Sequence, residues 1–319
     1  TPEEMGYDYS DGLTSNNTGG GKNTINKNGL DSPFKMGEAW PNPFDDPKLI
    51  FSLSQRSNDF IEEQTKKNKP FFIQISHYAV HLAITYSQKK IDKYSMLDKG
   101  KKHFVPEFAA MTEDMDEGIG MILDKIGSLG IADNTYIIFL SDNGGRTSIP
   151  VGPEQQIVRN FPLRGGKGSM YEGGLRVPFI VSGPGVSQNT YSDVPVTGLD
   201  ILPTLARLAG YQDPLPQILD GGNLQSIIHN SGLGKVERNS SFLIFHQAAN
   251  RKPFSAIRWE NYKLVKDWRF NKFELFDLSK DIEEKNDLSK QMPELVEKLN
   301  DALTRFLDEA NAETKQTET

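Results

Sequence analysis

No cysteine occurs among the 319 residues. Disulfide frameworks, thiolate metal sites and an unmodified cysteine nucleophile are therefore excluded, while the redox compartment stays undecided. No apolar run approaches the roughly 20 residues that a membrane-spanning helix requires, so no membrane span is expected. A long block of Lys and Arg is also missing: 36 basic residues stand against 43 acidic ones, for a formal charge of −7. Such a chain binds a phosphate backbone poorly, and nucleic acid is not expected as a partner. Thr1 is not preceded by a basic-then-apolar leader, which raises the expectation of further sequence upstream. What is present is an ordinary globular composition, 36% hydrophobic and 25% charged. That excludes wholesale disorder and supplies a core for one large domain or two modest ones.

Residues 1–47 are rich in Gly, Asn, Ser and Pro without helical or strand period, and read as an irregular N-terminal segment. The run Gly19, Gly20, Gly21, Lys22 lacks the spacing of a phosphate-binding loop. From 48 to 235 buried strands alternate with amphipathic helices. A helix over Leu49–Lys67 ends in cations before Pro70. The near-continuous apolar run Phe71, Phe72, Ile73, Ile75 predicts a strand covered on both faces. Phe108, Met111, Met115, Ile119, Ile122, Ile126 and Leu129 recur at steps of three and four, which predicts a helix with its methionines in the core. Glu113, Asp114, Asp116, Glu117 and Asp124 should form its solvated face, and Gly130 its end. Strands follow at Thr135–Leu140 and Val177–Val181, then a helix at Leu199–Leu208 closed by Gly210. This pattern argues for an α/β fold with a mostly parallel, mixed central sheet and helices on both faces. Residues 236–312 change character. Short strands at Phe242–Phe245, Phe254–Arg258, Tyr262–Val265 and Phe273–Phe276 predict a small antiparallel sheet, with a helix from Pro293 docking on it through Leu295, Leu299, Leu303, Phe306 and Leu307. The polar tail 313–319 should fray.

In open α/β sheets ligands collect beyond the carboxyl ends of the strands, and three such places carry chemistry. The first strand empties into His77 and His81. They lack the spacing of a zinc helix and read either as satisfied structural groups or as a catalytic pair. The second delivers Asp142 and Asn143 before two glycines. This all-oxygen pair suits a hard cation such as Ca²⁺ or Mg²⁺; a simple Asx turn is the alternative. Third, Gly165, Gly166, Gly168, Gly173 and Gly174 surround Lys167 and are flanked by Arg164 and Arg176. The loop is either a flexible hinge or a backbone-permissive cradle aimed at an anion. Together these features favour a site for a tetrahedral oxyanion.

The stretches Pro-Phe-Phe-Ile-Gln-Ile-Ser-His-Tyr-Ala-Val-His (70–81), Phe-Leu-Ser-Asp-Asn-Gly-Gly (139–145) and Leu-Arg-Gly-Gly-Lys-Gly-Ser-Met-Tyr-Glu-Gly-Gly-Leu-Arg-Val-Pro (163–178) resemble the type I sulfatases of the alkaline phosphatase superfamily. So does the C-terminal stretch Leu-Phe-Asp-Leu-Ser-Lys-Asp-Ile-Glu-Glu-Lys-Asn-Asp-Leu (275–288). The resemblance makes 48–235 a partial sulfatase domain and implies hydrolysis of sulfate esters, on a sulfated small molecule or glycan. It implies that Asp142 and Asn143 ligate the divalent cation, usually calcium, with magnesium as an alternative. It further implies that His81 touches the sulfate and protonates the departing alkoxide, and that Lys167 balances sulfate charge. His246, in the C-terminal subdomain, falls where substrate contacts arise, with packing as the other reading. His77 is taken as structural. Periplasmic or secreted localisation is likewise a family expectation, since the sequons at Asn16 and Asn239 say little.

The chain departs from the family in lacking any Cys-x-Pro-x-Arg or Ser-x-Pro-x-Arg motif, the source of its formylglycine nucleophile. The paired aspartates and the Gly-Lys-Trp-His-type stretch of the family are missing too, and Leu82, Ala83, Ile84 stand where Thr-Pro is common. The expectation is a truncated sulfatase, inactive alone, whose formylglycine lies upstream. An open apolar edge would then recruit the missing N-terminal segment or an oligomer partner. Two alternatives stay open: a phosphoester or phosphonate hydrolase of the same superfamily, and a catalytically dead protein that binds sulfated glycans.

Overall fold

In the computed structural model the residues described are 2–10, 45–81, 84–98, 100, 104–147, 159–248 and 253–314. Most of the irregular N-terminal segment, the Gly19–Lys22 run, Asn16, Leu82, Ala83 and the end of the tail lie outside them. The chain divides into two compact units, residues 1–133 with 149–155, and 134–148 with 156–319. The residues expected to form one 48–235 domain are therefore shared between both units.

The first unit is helical. Helix α1 spans Ile50–Lys66, and Asp46 Oδ1 accepts the Phe51 N–H at 2.8 Å, satisfying one of its orphan donors. Helix α2 spans Gln88–Ser95 and α3 spans Pro106–Ser128. Small residues bring α1 and α3 into close contact: a Cβ on Gly118 would lie 2.4 Å from Ile50 Cγ2 and 2.9 Å from Ser54 Oγ. Gly130 ends α3 with φ +68°, a left-handed turn that glycine adopts without strain. Met111 is fully buried, as the periodicity requires.

Two expectations change in this unit. Asp114 does not belong to a solvated face; it is 0% exposed and pairs with Lys90 Nζ at 2.9 Å, while Ser87 N–H and Oγ–H each donate to it at 2.8 Å. The cause is α2, which has no apolar period to announce it and lays Lys90 over α3. The 71–75 stretch alternates half-buried Phe71, Ile73 and Ile75 with exposed Phe72 and Gln74, and Phe72 is 57% exposed. It is covered on one side, where Phe71 meets Phe60 of α1 edge-on at 6.1 Å, and joins no ladder among the described residues.

The second unit carries the sheets. Strands β1 (Ile137–Leu140) and β2 (Phe179–Ser182) pair antiparallel, Phe139 opposite Ile180. Among the described residues this is the extent of the central sheet; the parallel pairings of the expectation are not among them. Between the two strands lies a short helix, α4 (Glu172–Leu175). Helix α5 (Ile201–Leu208) is entered through a capping box in which Thr197 N–H donates to Asp200 Oδ2 at 2.7 Å and Leu199 N–H to Thr197 Oγ1 at 3.2 Å. A further short helix, α6, spans Gln225–Ile228.

The antiparallel sheet predicted near the C-terminus is present, in the order β3 (Leu243–Gln247), β4 (Phe254–Trp259), β5 (Tyr262–Asp267), β6 (Lys272–Asp277). Helix α7 (Pro293–Glu309) begins on a proline and buries Leu299, Leu303 and Leu307, one turn apart, against Ile257, Leu264 and Leu275. Strand alternation sends Phe245, Ala256, Val265 and Phe276 to the opposite face, where they pack with Met170, Tyr171 and Leu175. The sheet is thus covered by α7 on one face and by the glycine-rich loop on the other.

Candidate active site

Strand β1 is followed by Ser141, whose hydroxyl donates to the Asn143 carbonyl at 3.0 Å. Asp142 is exposed there and Asn143 half-buried. The next two residues join this turn to the glycine-rich loop. Gly144 N–H donates to the Gly174 carbonyl at 3.0 Å, and the Gly145 carbonyl accepts from Lys167 N–H at 2.9 Å. Asn160 laces the arrangement, its Nδ2 donating to the Gly145 carbonyl at 2.7 Å and the Gly165 carbonyl at 3.0 Å. The approach needs glycine: a Cβ on Gly144 would lie 1.9 Å from the Gly173 carbonyl oxygen. The loop carrying Lys167 and the turn carrying Asp142 and Asn143 therefore form one interlocked backbone unit. The Lys167 side chain is exposed.

The glycine-rich loop is anchored at both ends on the antiparallel sheet and on the segment after it. At its start, the Arg164 guanidinium stacks 3.8 Å from the Tyr171 ring centroid, lies 3.4 Å from Glu274, and donates to the Glu284 carbonyl at 3.1 Å. Tyr171 Oη–H donates to Glu274 Oε2 at 2.5 Å, and burial together with that carboxylate pushes the phenol up from its ordinary value. At its end, Glu172 Oε1 receives Lys263 Nζ at 2.8 Å and Oε2 receives Arg176 Nε at 2.8 Å. Lys263 also pairs with Glu284 Oε1 at 2.7 Å, and Glu172 N–H donates to Glu284 Oε2 at 2.7 Å. Burial works to raise the Glu172 carboxyl, but Lys263 and Arg176 outweigh it and hold it below its ordinary value. Glu284 has the same lysine without the arginine; burial dominates and raises it. None of Asn160, Glu172, Lys263 and Glu284 was singled out from sequence. Lys263 and Glu172 are 91 positions apart, and only the fold brings them together.

His246 lies on β3 opposite Ser255, on the sheet face that α7 covers. Its Nδ1 is 2.8 Å from Ser255 Oγ and its Nε2 3.0 Å from the Glu313 carbonyl. Of the two readings open for it, these contacts and its place on the α7 face favour packing. Its neighbour Gln247 faces the glycine-rich loop and donates from Nε2 to the Gly168 carbonyl at 2.6 Å, one residue from Lys167. His81 belongs to the first unit, half-buried, with its backbone N–H on the Tyr78 carbonyl at 2.9 Å. Burial lowers the pKa of His77, whose Nδ1 has no hydrogen-bond partner among the described residues.

Asp142 and Asn143 supply two oxygen donors, the right chemistry for Ca²⁺ or Mg²⁺ but short of the about six to eight that calcium takes. Among the described residues no cluster of three or more His, Asp or Glu could hold a metal ion. The pair thus fits a hard cation in type while furnishing only part of its coordination shell.

Comparison with known proteins bears on the family. The Sulfatase family profile matches residues 5–211. This chain belongs to the sulfatase family. A second profile, for the C-terminal part of N-sulphoglucosamine sulphohydrolase, matches residues 166–310 of the same sulfatase chain. A sulfatase of Formosa agariphila is 34% identical over 297 residues, covering 83% of this chain and 51% of that protein. The N-acetylgalactosamine-6-O-sulfatase of Bacteroides thetaiotaomicron is 27% identical over 276 residues, 81% of this chain and 51% of that protein. The crystal structure of Ps i-CgsB in complex with k-i-k-neocarrahexaose superposes with a TM-score of 0.71 at 25% identity, covering 87% of this chain and 57% of that one. The sulfatase chain described here spans about half the length of these two curated relatives.

Proposed function

We propose that this sulfatase-family chain is part of an enzyme that hydrolyses sulfate esters of a sulfated carbohydrate. The observation that carries the reading is the bond from Lys167 N–H to the Gly145 carbonyl, which ties a cationic side chain to the turn bearing two oxygen donors. Breaking a sulfate ester builds negative charge on the leaving oxygen while the sulfuryl group keeps its own. Fixed cationic groups and a proton donor are what lower that barrier.

In this reading Lys167 neutralises a sulfate oxygen, and Asp142 and Asn143 hold a divalent cation, Ca²⁺ with Mg²⁺ as the alternative. The cation and a formylglycine from upstream of these 319 residues supply charge compensation and the nucleophile. His81 donates the proton that the leaving alkoxide requires, an assignment that rests on the sequence resemblance. The 319-residue chain by itself is inactive in this reading. A carbohydrate substrate is supported by the relatives, one named for N-acetylgalactosamine 6-O-sulfate chemistry and one crystallised with a neocarrahexaose. Export to the periplasm or beyond completes the proposal; among the described residues no helix is long and apolar enough to cross a membrane.

The test is turnover of an aryl sulfate, an aryl phosphate and sulfated oligosaccharides by the protein that carries this chain. Lys167→Ala should lower kcat/KM for sulfate by about 100-fold or more. Faster turnover of the phosphate, or undiminished activity in the variant, would overturn the reading.

A further inference from the structure

The buried charges beneath the glycine-rich loop sit outside the reacting groups, yet they link the antiparallel sheet to the end of the loop that carries Lys167. Lys263 of β5 is 1% exposed and lies between two carboxylates, Glu172 at 2.8 Å and Glu284 at 2.7 Å. Glu172 is the first residue of α4, and the two residues after it, Gly173 and Gly174, are those against which Gly144 packs. Glu284 grips the same point from the other side through the Glu172 N–H, and its own carbonyl receives Arg164. The loop is therefore held at residues 164 and 172, with Lys167 between them.

A cluster of this kind is an expensive way to hold a loop by packing alone, because each buried ion must recover its lost hydration. What it provides is direction. The carboxylate of Glu172 is held by Lys263 of β5 and, within its own turn, by Arg176, so rotation or sliding of α4 against the sheet loses the contact with Lys263. Hydrophobic contacts under Met170 and Leu175 would tolerate such a shift.

We propose that Lys263, Glu172 and Glu284 form a positioning triad through which the antiparallel sheet sets the placement of Lys167 relative to Asp142 and Asn143. The inference rests on the functional reading of those three site residues, and it names Glu172 and Lys263 as determinants of kcat rather than of binding alone.

Two measurements on the protein carrying this chain test it. The first is amide hydrogen exchange, which requires no activity. Glu172→Gln should speed exchange by about tenfold or more at Gly144, Lys167, Gly173 and Gly174, whose N–H groups donate within the interlocked unit. Amides of α7 and β4 should stay protected. Unchanged exchange at those four positions, or uniform loss everywhere, overturns the proposal.

The second is a double-mutant cycle on sulfate turnover. Glu172→Gln alone should lower kcat by about tenfold with little change in KM, and should have a much smaller effect once Lys167 is already alanine. Fully additive effects would make the triad merely structural. Because a buried charge change can prevent folding, Lys263→Arg serves as the conservative partner. It keeps the charge but alters the geometry, so it should fold and still slow turnover; wild-type kcat in Lys263→Arg would also overturn the proposal. If the unsubstituted protein turns over no sulfate ester, the functional reading fails while the exchange measurement still decides the triad.

Discussion

Gly144→Ala isolates the close approach on which the candidate site depends. Gly144 has no positive φ, so alanine can adopt its backbone conformation and the added methyl is the whole perturbation. That methyl would lie 1.9 Å from the Gly173 oxygen, 2.8 Å from the Gly173 carbonyl carbon and 2.9 Å from Gly174 Cα. Every one of these neighbours is backbone, so no side chain can swing aside. Reaching even a 3.0 Å separation requires the strand-end turn and the glycine-rich loop to part by about 1.1 Å. The same opening breaks the Gly144 N–H to Gly174 bond and strains the one from Lys167 N–H to Gly145. Overpacking of this kind costs about 1–3 kcal/mol of stability. A misplacement of about 1 Å between groups that act together costs about 100-fold in rate. The assay is aryl sulfate turnover by the protein carrying this chain, with thermal unfolding run alongside. Gly120→Ala is the control: a Cβ there meets nothing within 4 Å, and the change should raise helix stability by about 0.5–1 kcal/mol without altering rate. A folded Gly144→Ala variant with undiminished turnover would refute the claim that the two loops must stay in register.

His246→Ala should lower stability by about 1 kcal/mol through loss of its bonds to Ser255 and Glu313, and should leave kcat/KM within about twofold. A much larger fall in kcat/KM would support a substrate contact instead. Asp200, fully buried, accepts from Arg238 Nε at 2.8 Å and Nη2 at 2.6 Å and from Gly222 N–H at 2.8 Å; Asp200→Ala should cost about 3–5 kcal/mol in urea unfolding by stranding the arginine. Burial lowers Lys48 to about 8 from its ordinary 10.5. Between those values the unfolded chain binds the extra proton, so stability should rise with pH across the window and reach its full gain above 10.5. Lys48→Met should remove that rise, as urea midpoints at about pH 8 and about pH 10 would show, and an identical slope in the variant would count against it.

Local pattern sufficed for much of the fold. The three-and-four spacing from Phe108 to Leu129 and from Leu295 to Leu307 marks α3 and α7, and the alternating segments after 242 mark four antiparallel strands. The candidate site loops stood out for a different reason, since glycines clustered around one lysine and after Asp142 and Asn143 permit turns and close backbone approaches that other residues cannot make. Helix α2 was not legible, because Lys90 and Lys93 join it to Glu113, Asp114 and Glu117 by ion pairs, which leave no apolar period.

What the sequence by itself determined is local: periods of 3.6 and 2, turn chemistry, and the residue types that suit an oxyanion. Tertiary structure decided the relations between distant positions. Register on β3 turned His246 toward α7 and Gln247 toward Lys167, a distinction of one residue that no composition reveals. Folding likewise brought Lys263 to Glu172 across 91 positions and Glu284 to the same point across 112. The physical reason is common to both. Backbone preference acts between neighbours in the chain, whereas burying a charge or choosing a sheet face depends on what lies opposite, and that is fixed only when the whole unit packs.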